Sequence, residues 1–334
     1  MNKHSQHDEP ALLEVKNLSL RFDKRKQVAV DRVSFSIKAG TTLGLVGASG
    51  AGKSSVARAI MRLIKPVSGQ ILFNGESIFS GGPQTALDTR QRVQIVFQEP
   101  SASLSPRRTV EQTMLEPLEH FAIGDKDYRA NKIRRVLQTV GLEHDVLQRY
   151  PHQFSSGQQQ RIAIARALVT NPDLLIADEA VSALDVSVQA QILQLIQSLQ
   201  KEQGISLLFI SHDLAVVRQI ASEVGIMYRG QLLEYSAADI FFNQPAHPYS
   251  RSLLAFASNQ APASITDRKW HLDSGNPATG KPSACIFARN CVDKKSVCEQ
   301  LEPVNSLIHH TDQDALIPHR VRCHLYDKAS SNET

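Results

Sequence analysis

Hydrophobic and polar residues alternate between residues 12 and 37, first in LLEVKNLSLRF and then in VAVDRVSFSI. Alternation of this kind buries one face of each segment, so it predicts two or three strands around the charged turn DKRK. TTLGLVG is a short apolar run that ends in glycine, and SSVARAIMRLI beyond it carries apolar residues at helical spacing. Residues 41–64 therefore read as strand, loop and helix. QILFNGESI sets an Asn-Gly pair between apolar positions, which predicts a hairpin, and RVQIVFQ reads as a further strand.

From about 101 to 155 the pattern changes to polar helices, clearest in EQTMLEPLEHF and YRANKIRRVLQTVGL. The strand DLLIADE, the helix VSVQAQILQLIQSLQKEQG and the strand ISLLFISHD follow. An α/β pattern interrupted by a helical insertion predicts a mostly parallel sheet covered on both faces. Residues 258–283 are rich in Pro, Ala, Ser and Gly and read as a linker, with a small cysteine-containing appendage after it. No long internal repeat is visible.

Composition narrows the classes. The chain has 334 residues, 42% hydrophobic and 21% charged, which suits a folded protein of one large or two modest domains. A net charge of +4 does not argue for nucleic-acid binding, and short basic runs such as KIRR read as solvated faces. No apolar run approaches the ~18–20 residues that cross a bilayer. The opening MNKHSQHDEP lacks a signal-peptide core, so the expected location is cytoplasmic, with any membrane association made through a partner.

GASGAGKSS follows the apolar strand directly and supplies Gly47, Gly52, Lys53 and Ser54 in the G-x4-G-K-[ST] pattern. Glycines let backbone N–H groups curl around phosphate oxygens, and the next helix offers its positive N-terminus. Lys53 is placed to reach β and γ phosphates, and the Ser54 hydroxyl to coordinate Mg²⁺. DLLIADE is an apolar strand that ends in carboxylates. It puts Asp178 beside this loop to hold Mg²⁺ through water, and Glu179 next to it as a general base toward water. His212, after LLFIS, is either structural or a contact to the γ-phosphate, and Gln98 ends its strand within reach of Mg²⁺ or water.

GASGAGKS, IVFQEPSASLSPR, YPHQFSSGQQQRIAIARAL, LLIADEAVSALDVSVQAQIL and LLFISHDLAVV stand in the order found in ABC-type ATPases, which the chain resembles over residues 12–326. HPYSRSLL and GNPATGKPSACIFARNC are similar to the C-terminal part of one branch, the ATP-binding subunits of dipeptide, oligopeptide and nickel importers. The resemblance implies a P-loop ATPase core with an antiparallel β subdomain, a helical subdomain over about 101–170 and a small cysteine-containing extension. The ATPase domain would span 12–257, the linker 258–283 and the extension 284–326. It implies ATP and Mg²⁺ as ligands. Gly47, Ser49, Gly50, Gly52, Lys53, Ser54 and Ser55 would form the Walker A loop, and Gln98 the Q-loop. Asp178 and Glu179 would be the Walker B pair, Asp185 the D-loop and His212 the switch histidine. Phe22 would stack on adenine, unless it is a core strand residue.

Ser155, Gly157 and Gln158 would belong to the signature loop, which in this family meets ATP held on an opposite subunit. The family usually reads [LF]-S-G-G-Q there, and Ser156 replaces the first glycine. Serine keeps its N–H, but a position that needs a positive φ would cost a non-glycine residue about 1–2 kcal/mol. Ala180 and Val181 stand where Pro and a small residue are common, and Gln159 stands where Arg is common.

The four cysteines, Cys285, Cys291, Cys298 and Cys323, have the spacing C-x5-C-x6-C-x24-C, without the paired C-x2-C of common zinc ribbons. Members of the branch carry four cysteines at similar places, some with the look of [4Fe–4S] binders. Zinc and unliganded thiols are the other two readings.

The resemblance implies a peripheral protein on the cytoplasmic face of the bacterial inner membrane. Its partners would be a second, related ATPase subunit, two membrane permeases and an extracytoplasmic substrate-binding protein, with no nucleic acid. Import of di- or oligopeptides is the expected role. Import of nickel or a metal chelate, or a non-transport ABC ATPase acting on ribosomes or DNA, are the alternatives.

Overall fold

The computed structural model describes residues 11–22, 27–100, 103–258, 284–310 and 318–327. The alternating segments form β1 (Leu13–Phe22) and β2 (Gln27–Ile37), antiparallel partners. With β4 (Ser68–Phe73) and β5 (Glu76–Ser77) they make a four-stranded sheet in the order β2-β1-β4-β5. The β4–β5 hairpin turns at Asn74 and Gly75, whose φ values of +50° and +78° match the left-handed pair that an Asn-Gly turn prefers.

The second sheet has eight strands in the order β11-β12-β10-β9-β3-β8-β7-β6. Five are parallel: β3 (Thr42–Val46), β6 (Val93–Phe97), β7 (Leu174–Asp178), β8 (Ser206–Ser211) and β9 (Glu223–Tyr228). All but β6 are wholly buried, the condition for a parallel strand with both faces covered. Their side chains divide between two cores. Leu174, Ile176, Leu208 and Ile210 pack with β1, β2 and α1 (Lys53–Ile60). Leu175, Ala177, Leu207 and Phe209 pack on the opposite face with the helices.

Those helices include the insertion between β6 and β7. α2 (Pro83–Arg92) precedes β6, and α3 (Val110–His120), α4 (Lys126–Thr139) and α5 (Ser156–Leu168) follow it. Thr109 and Gln112 close α3 with a reciprocal capping box, and Asp125 caps α4. Val110, Met114, Leu118, Ile133, Leu137 and Ile162 give the insertion its share of the core. α6 (Val186–Gln203) and α7 (Leu214–Ile220) complete the crossovers.

β10 (Gln231–Ala237) returns antiparallel to β9 and leads into α8 (Ala238–Asn243) and α9 (Pro248–Ala257). The expected linker lies outside the described residues except for Ser258, which caps α9. The cysteine segment is more than an appendage, because β11 (Asn305–Ile308) and β12 (His319–Arg322) extend the main sheet through the pairing of β12 with β10. Its short, irregular strands carry too little alternation to have been read as sheet.

Glu234 fastens this edge. Its side chain is almost wholly buried and accepts from the Ala246 and His247 backbone N–H groups at 2.8 Å. His319 Nε2 lies 2.9 Å from Glu234 Oε1, the oxygen that also takes the Ala246 N–H. Burial alone would raise the Glu234 pKa, but the His319 bond and the two backbone bonds outweigh it and hold the carboxyl below its ordinary value. Glu234→Ala is expected to cost about 3 kcal/mol, read as a lowered urea midpoint of the purified chain. A carboxyl depressed in the folded state contributes stability that is complete above its unfolded pKa and lost as pH falls through the folded one. The gap between wild type and variant should therefore close in acid.

Candidate functional site

Four of the parallel strands place their carboxyl ends side by side. Val46 pairs with Ser211, Ile210 with Asp178, and Asp178 with Phe97, so the chain leaves the sheet at neighbouring points. Ligands of open α/β sheets collect at such an edge.

The loop after β3 is shaped by its glycines. Gly50 and Gly52 take φ values of +77° and +102°, open to glycine at no steric cost. A Cβ on Gly52 would stand 2.7 Å from the Ala29 carbonyl oxygen, and one on Gly47 would overlap the Met227 carbonyl. Gly52 is the residue from which α1 starts, so the loop's N–H groups and the positive end of that helix share one place. Ser49 and Gly50 are exposed at the tip, and Ser55 lies in the first turn of α1.

Lys53 is only 4% exposed. Its ammonium donates to the carbonyls of Gly47 at 2.7 Å and Ala48 at 3.1 Å and lies 4.0 Å from Glu179 Oε1. Burial lowers its pKa, against the pull of Glu179 and Asp178. Ser54 Oγ donates to Asp178 Oδ1 at 2.9 Å. Burial raises the Asp178 pKa, the Ser54 bond opposes it, and the Glu179 charge adds to it. A hydroxyl and a carboxylate in contact beside a phosphate-type loop are hard oxygen donors of the kind Mg²⁺ takes.

Glu179 departs from ordinary backbone with φ +52°, a conformation uncommon outside glycine and costing of order 1–3 kcal/mol. Its N–H is held by the Ile210 carbonyl at 3.0 Å. The turn directs the carboxylate between Lys53 and His212, whose Nδ1 is 3.4 Å from Glu179 Oε2. Gln98 is exposed, one residue beyond the Phe97 that pairs with Asp178. Phe22 is the last residue of β1, and its side chain lies outside the described residues.

The remaining predicted residues form a second group at the starts of α5 and α6. Ser155 Oγ accepts from the Gln158 N–H at 3.3 Å, while Gln158 Oε1 accepts from the Ser155 N–H at 3.1 Å. Ser156 is the first helical residue and is not among those with positive φ, so the missing glycine carries no backbone cost. Gly157 is different, because a Cβ there would come 2.5 Å from Val188 Cγ1. Val188 belongs to α6, which Asp185 caps by accepting from the Val188 N–H at 2.9 Å and the Ser187 hydroxyl at 2.7 Å. Gln159 reaches back to the carbonyls of Pro151 at 3.0 Å and Phe154 at 3.1 Å, fastening the loop from within.

Cys298 and Cys323 are buried, and Cys285 and Cys291 are half-buried. The Cys285 N–H donates to the Cys298 carbonyl at 2.9 Å. Burial, with some mutual repulsion between the thiols, pushes Cys291 up to about 11 and Cys323 up to about 12. The four thiols thus share a neighbourhood, but among the described residues no three His, Cys, Asp or Glu are grouped to hold a metal ion.

A glycine loop with a buried lysine, a carboxylate-ending strand beside it and a parallel sheet beneath define a P-loop nucleotide hydrolase. Residues 30–182 match the family model described as ABC transporter. The chain is 42% identical over 301 residues to the oligopeptide transport ATP-binding protein AppF of Bacillus subtilis, covering 89% of each protein. It is 46% identical over 248 residues to the oligopeptide transport ATP-binding protein OppF of the same organism, covering 73% of this chain and 81% of that one. Among solved structures it is similar to cbiO1 of Clostridium perfringens, part of the ABC transporter complex cbiONQ. There the identity is 27% and the TM-score 0.64, covering 71% of this chain and 93% of that one. It also resembles the ATP-binding cassette MJ0796 in a dimeric post-hydrolysis state with ADP and Pi, at 28% identity and a TM-score of 0.61, covering 68% of this chain and 98% of that one. The chain belongs to the family of ABC transporter ATP-binding proteins, and it is an ATPase that uses ATP with Mg²⁺.

The two signature residues should separate on substitution. Gly157→Ala forces a methyl against Val188 and is expected to destabilise the chain by about 1–3 kcal/mol. Ser156→Gly only loosens an exposed helix start, at under about 1 kcal/mol. Urea midpoints of the two variants measure the difference, and equal midpoints would contradict the packing given for Gly157.

Proposed function

We propose that the chain is the ATP-hydrolysing, energy-coupling subunit of a binding-protein-dependent importer of di- or oligopeptides. The observation that carries the chemistry is the Glu179 carboxylate, turned by its backbone toward Lys53 and His212 at the strand ends. Peptide cargo rests on the names of the relatives at 42% and 46% identity.

In this reading the loop N–H groups from Gly47 to Ser55 and the Lys53 ammonium hold the phosphates, exchanging the carbonyls of Gly47 and Ala48 for phosphate oxygens. Ser54 and Asp178 would hold Mg²⁺, with Gln98 as a further candidate donor, and the ion would supply charge neutralisation on the β and γ phosphates. Glu179 accepts the proton of the attacking water, and His212 steadies that carboxylate. Ser155, Gly157, Gln158 and Asp185 serve the nucleotide of an opposing subunit. Such a pairing agrees with the dimeric state named for the similar cassette.

The partners of this reading are a second, related ATPase, two membrane permeases and an extracytoplasmic binding protein. Among the described residues no helix is long and apolar enough to cross a membrane, so association with the cytoplasmic face of the inner membrane would be peripheral. A [4Fe–4S] cluster or, as its rival, zinc at the four cysteines would require the thiols to draw together, because among the described residues they form no metal-holding group. Iron, sulfide and zinc analysis of anaerobically purified protein decides between them, and absence of all three defeats both.

Glu179→Gln should keep ATP binding and lose at least about 100-fold in turnover. Hydrolysis at the wild-type rate would remove Glu179 as the base. The same variant, tagged and recovered with Mg-ATP from gently solubilised membranes, should bring down two permeases and a related ATPase. Recovery of ribosomal proteins, or of no membrane protein, would overturn the importer role.

A further inference from the structure

We infer that residues 284–310 and 318–327 form a clamp that positions the nucleotide-binding loop, with Glu302 and Phe287 as its positioning residues. The inference rests on the nucleotide site described above and adds to it a part of the chain that touches no reacting group.

The first arm runs through Glu302. Its two carboxylate oxygens accept from Arg32 Nη2 at 2.7 and 2.6 Å, and Oε1 also accepts from Arg322 at 2.5 Å and Gln231 at 3.0 Å. The same Gln231 amide donates to Asp31 at 2.9 Å. The Asp31 N–H donates to the Gly230 carbonyl at 2.8 Å, and the Gly230 N–H donates to the carbonyl of Ala51 in the loop at 2.9 Å. Gly230 has φ +87°, and a Cβ there would stand 2.8 Å from the Ala29 oxygen, so this turn fits only closely against β2. The Glu302 carboxylate is thus joined by four hydrogen-bonded steps to the residue before Gly52.

The second arm enters from the cysteine loop. Phe287, between Cys285 and Cys291, is buried with its ring 5.4 Å from both Tyr228 and Tyr249. Asn290 donates to the Tyr228 hydroxyl at 3.3 Å. Tyr249 is fully buried, and Tyr228 stands two residues before Gly230, whose N–H holds the Ala51 carbonyl. Phe287 thus packs on Tyr228, the strand end from which that turn leaves for the loop.

Contacts that only anchored the segment would stabilise the fold without touching nucleotide affinity. A clamp obeys reciprocity, so that whatever fixes the loop is itself fixed by the ligand. The test uses the full chain, AMP-PNP and Mg²⁺, with affinity from calorimetry and backbone hydrogen exchange in parallel. Glu302→Ala and Phe287→Leu are each expected to weaken AMP-PNP about five-fold. Glu302→Asp should recover part of that loss. Lys294→Ala, which breaks only the exposed Lys294–Glu299 pair of the same segment, should leave affinity within about two-fold. In the wild type, AMP-PNP should slow exchange at residues 297–308 and 319–325. Lowered melting temperatures with unchanged affinity in both variants would make the role purely structural and overturn the inference. Unchanged exchange in the wild-type segment would overturn it as well, whether or not the variants fold. A wild type that fails to bind AMP-PNP would overturn the nucleotide reading and this inference with it.

Discussion

An ammonium group taken almost wholly out of water must find compensation nearby, and Lys53 is the group on which this site is built. Two backbone carbonyls touch it, and the carboxylates of Asp178 and Glu179 supply the balancing charge. That requirement brings the loop after β3 and the end of β7 together, although β8 lies between their strands. Ser54 completes the connection with its bond to Asp178. Under the proposed reading, phosphate oxygens would take the place of those carbonyls on an ammonium already in position.

The strain at Glu179 fits the same frame. A carboxylate continuing β7 in extended form would alternate to the other face of the sheet, away from Asp178's neighbours. The positive φ instead turns it across the strand ends, held by the Ile210 carbonyl and by the buried Ala180 and Val181 that follow. A proline, common at position 180 in the family, is therefore not needed to make the turn. Burial of two apolar residues does the work in this chain.

Much of this was legible in the sequence because the determining signals are local. GASGAGKSS following an apolar strand identified the loop, NG the hairpin, and LLIADE the carboxylate strand, each through chemistry contained in a few residues. The signature loop was legible only in part. Whether Ser156 was tolerable turned on a φ value, and which glycine mattered turned on Val188, more than thirty residues away in the chain. The positive φ of Glu179 left no trace in residue type. The joining of residues 305–308 and 319–322 to the main sheet was hidden too, because its cause is the pairing of β12 with β10 and the buried Glu234–His319 contact. Neither shows as periodicity in strands of four residues.

That hidden pairing changes the meaning of the cysteine segment. If it were tethered only at the sheet edge, its state would matter to the edge alone. Phe287, however, lies in the larger core together with Tyr228 and Tyr249, and its loop is bounded by Cys285 and Cys291. Any event that repositions those two thiols must move Phe287 or strain the loop between them, since packed cores change arrangement discretely and do not deform smoothly. Tyr228 in turn ends the strand from which the Gly230 turn reaches the Ala51 carbonyl. Under the clamp reading, the cysteine loop and the nucleotide loop are thus joined through one set of buried aromatic contacts.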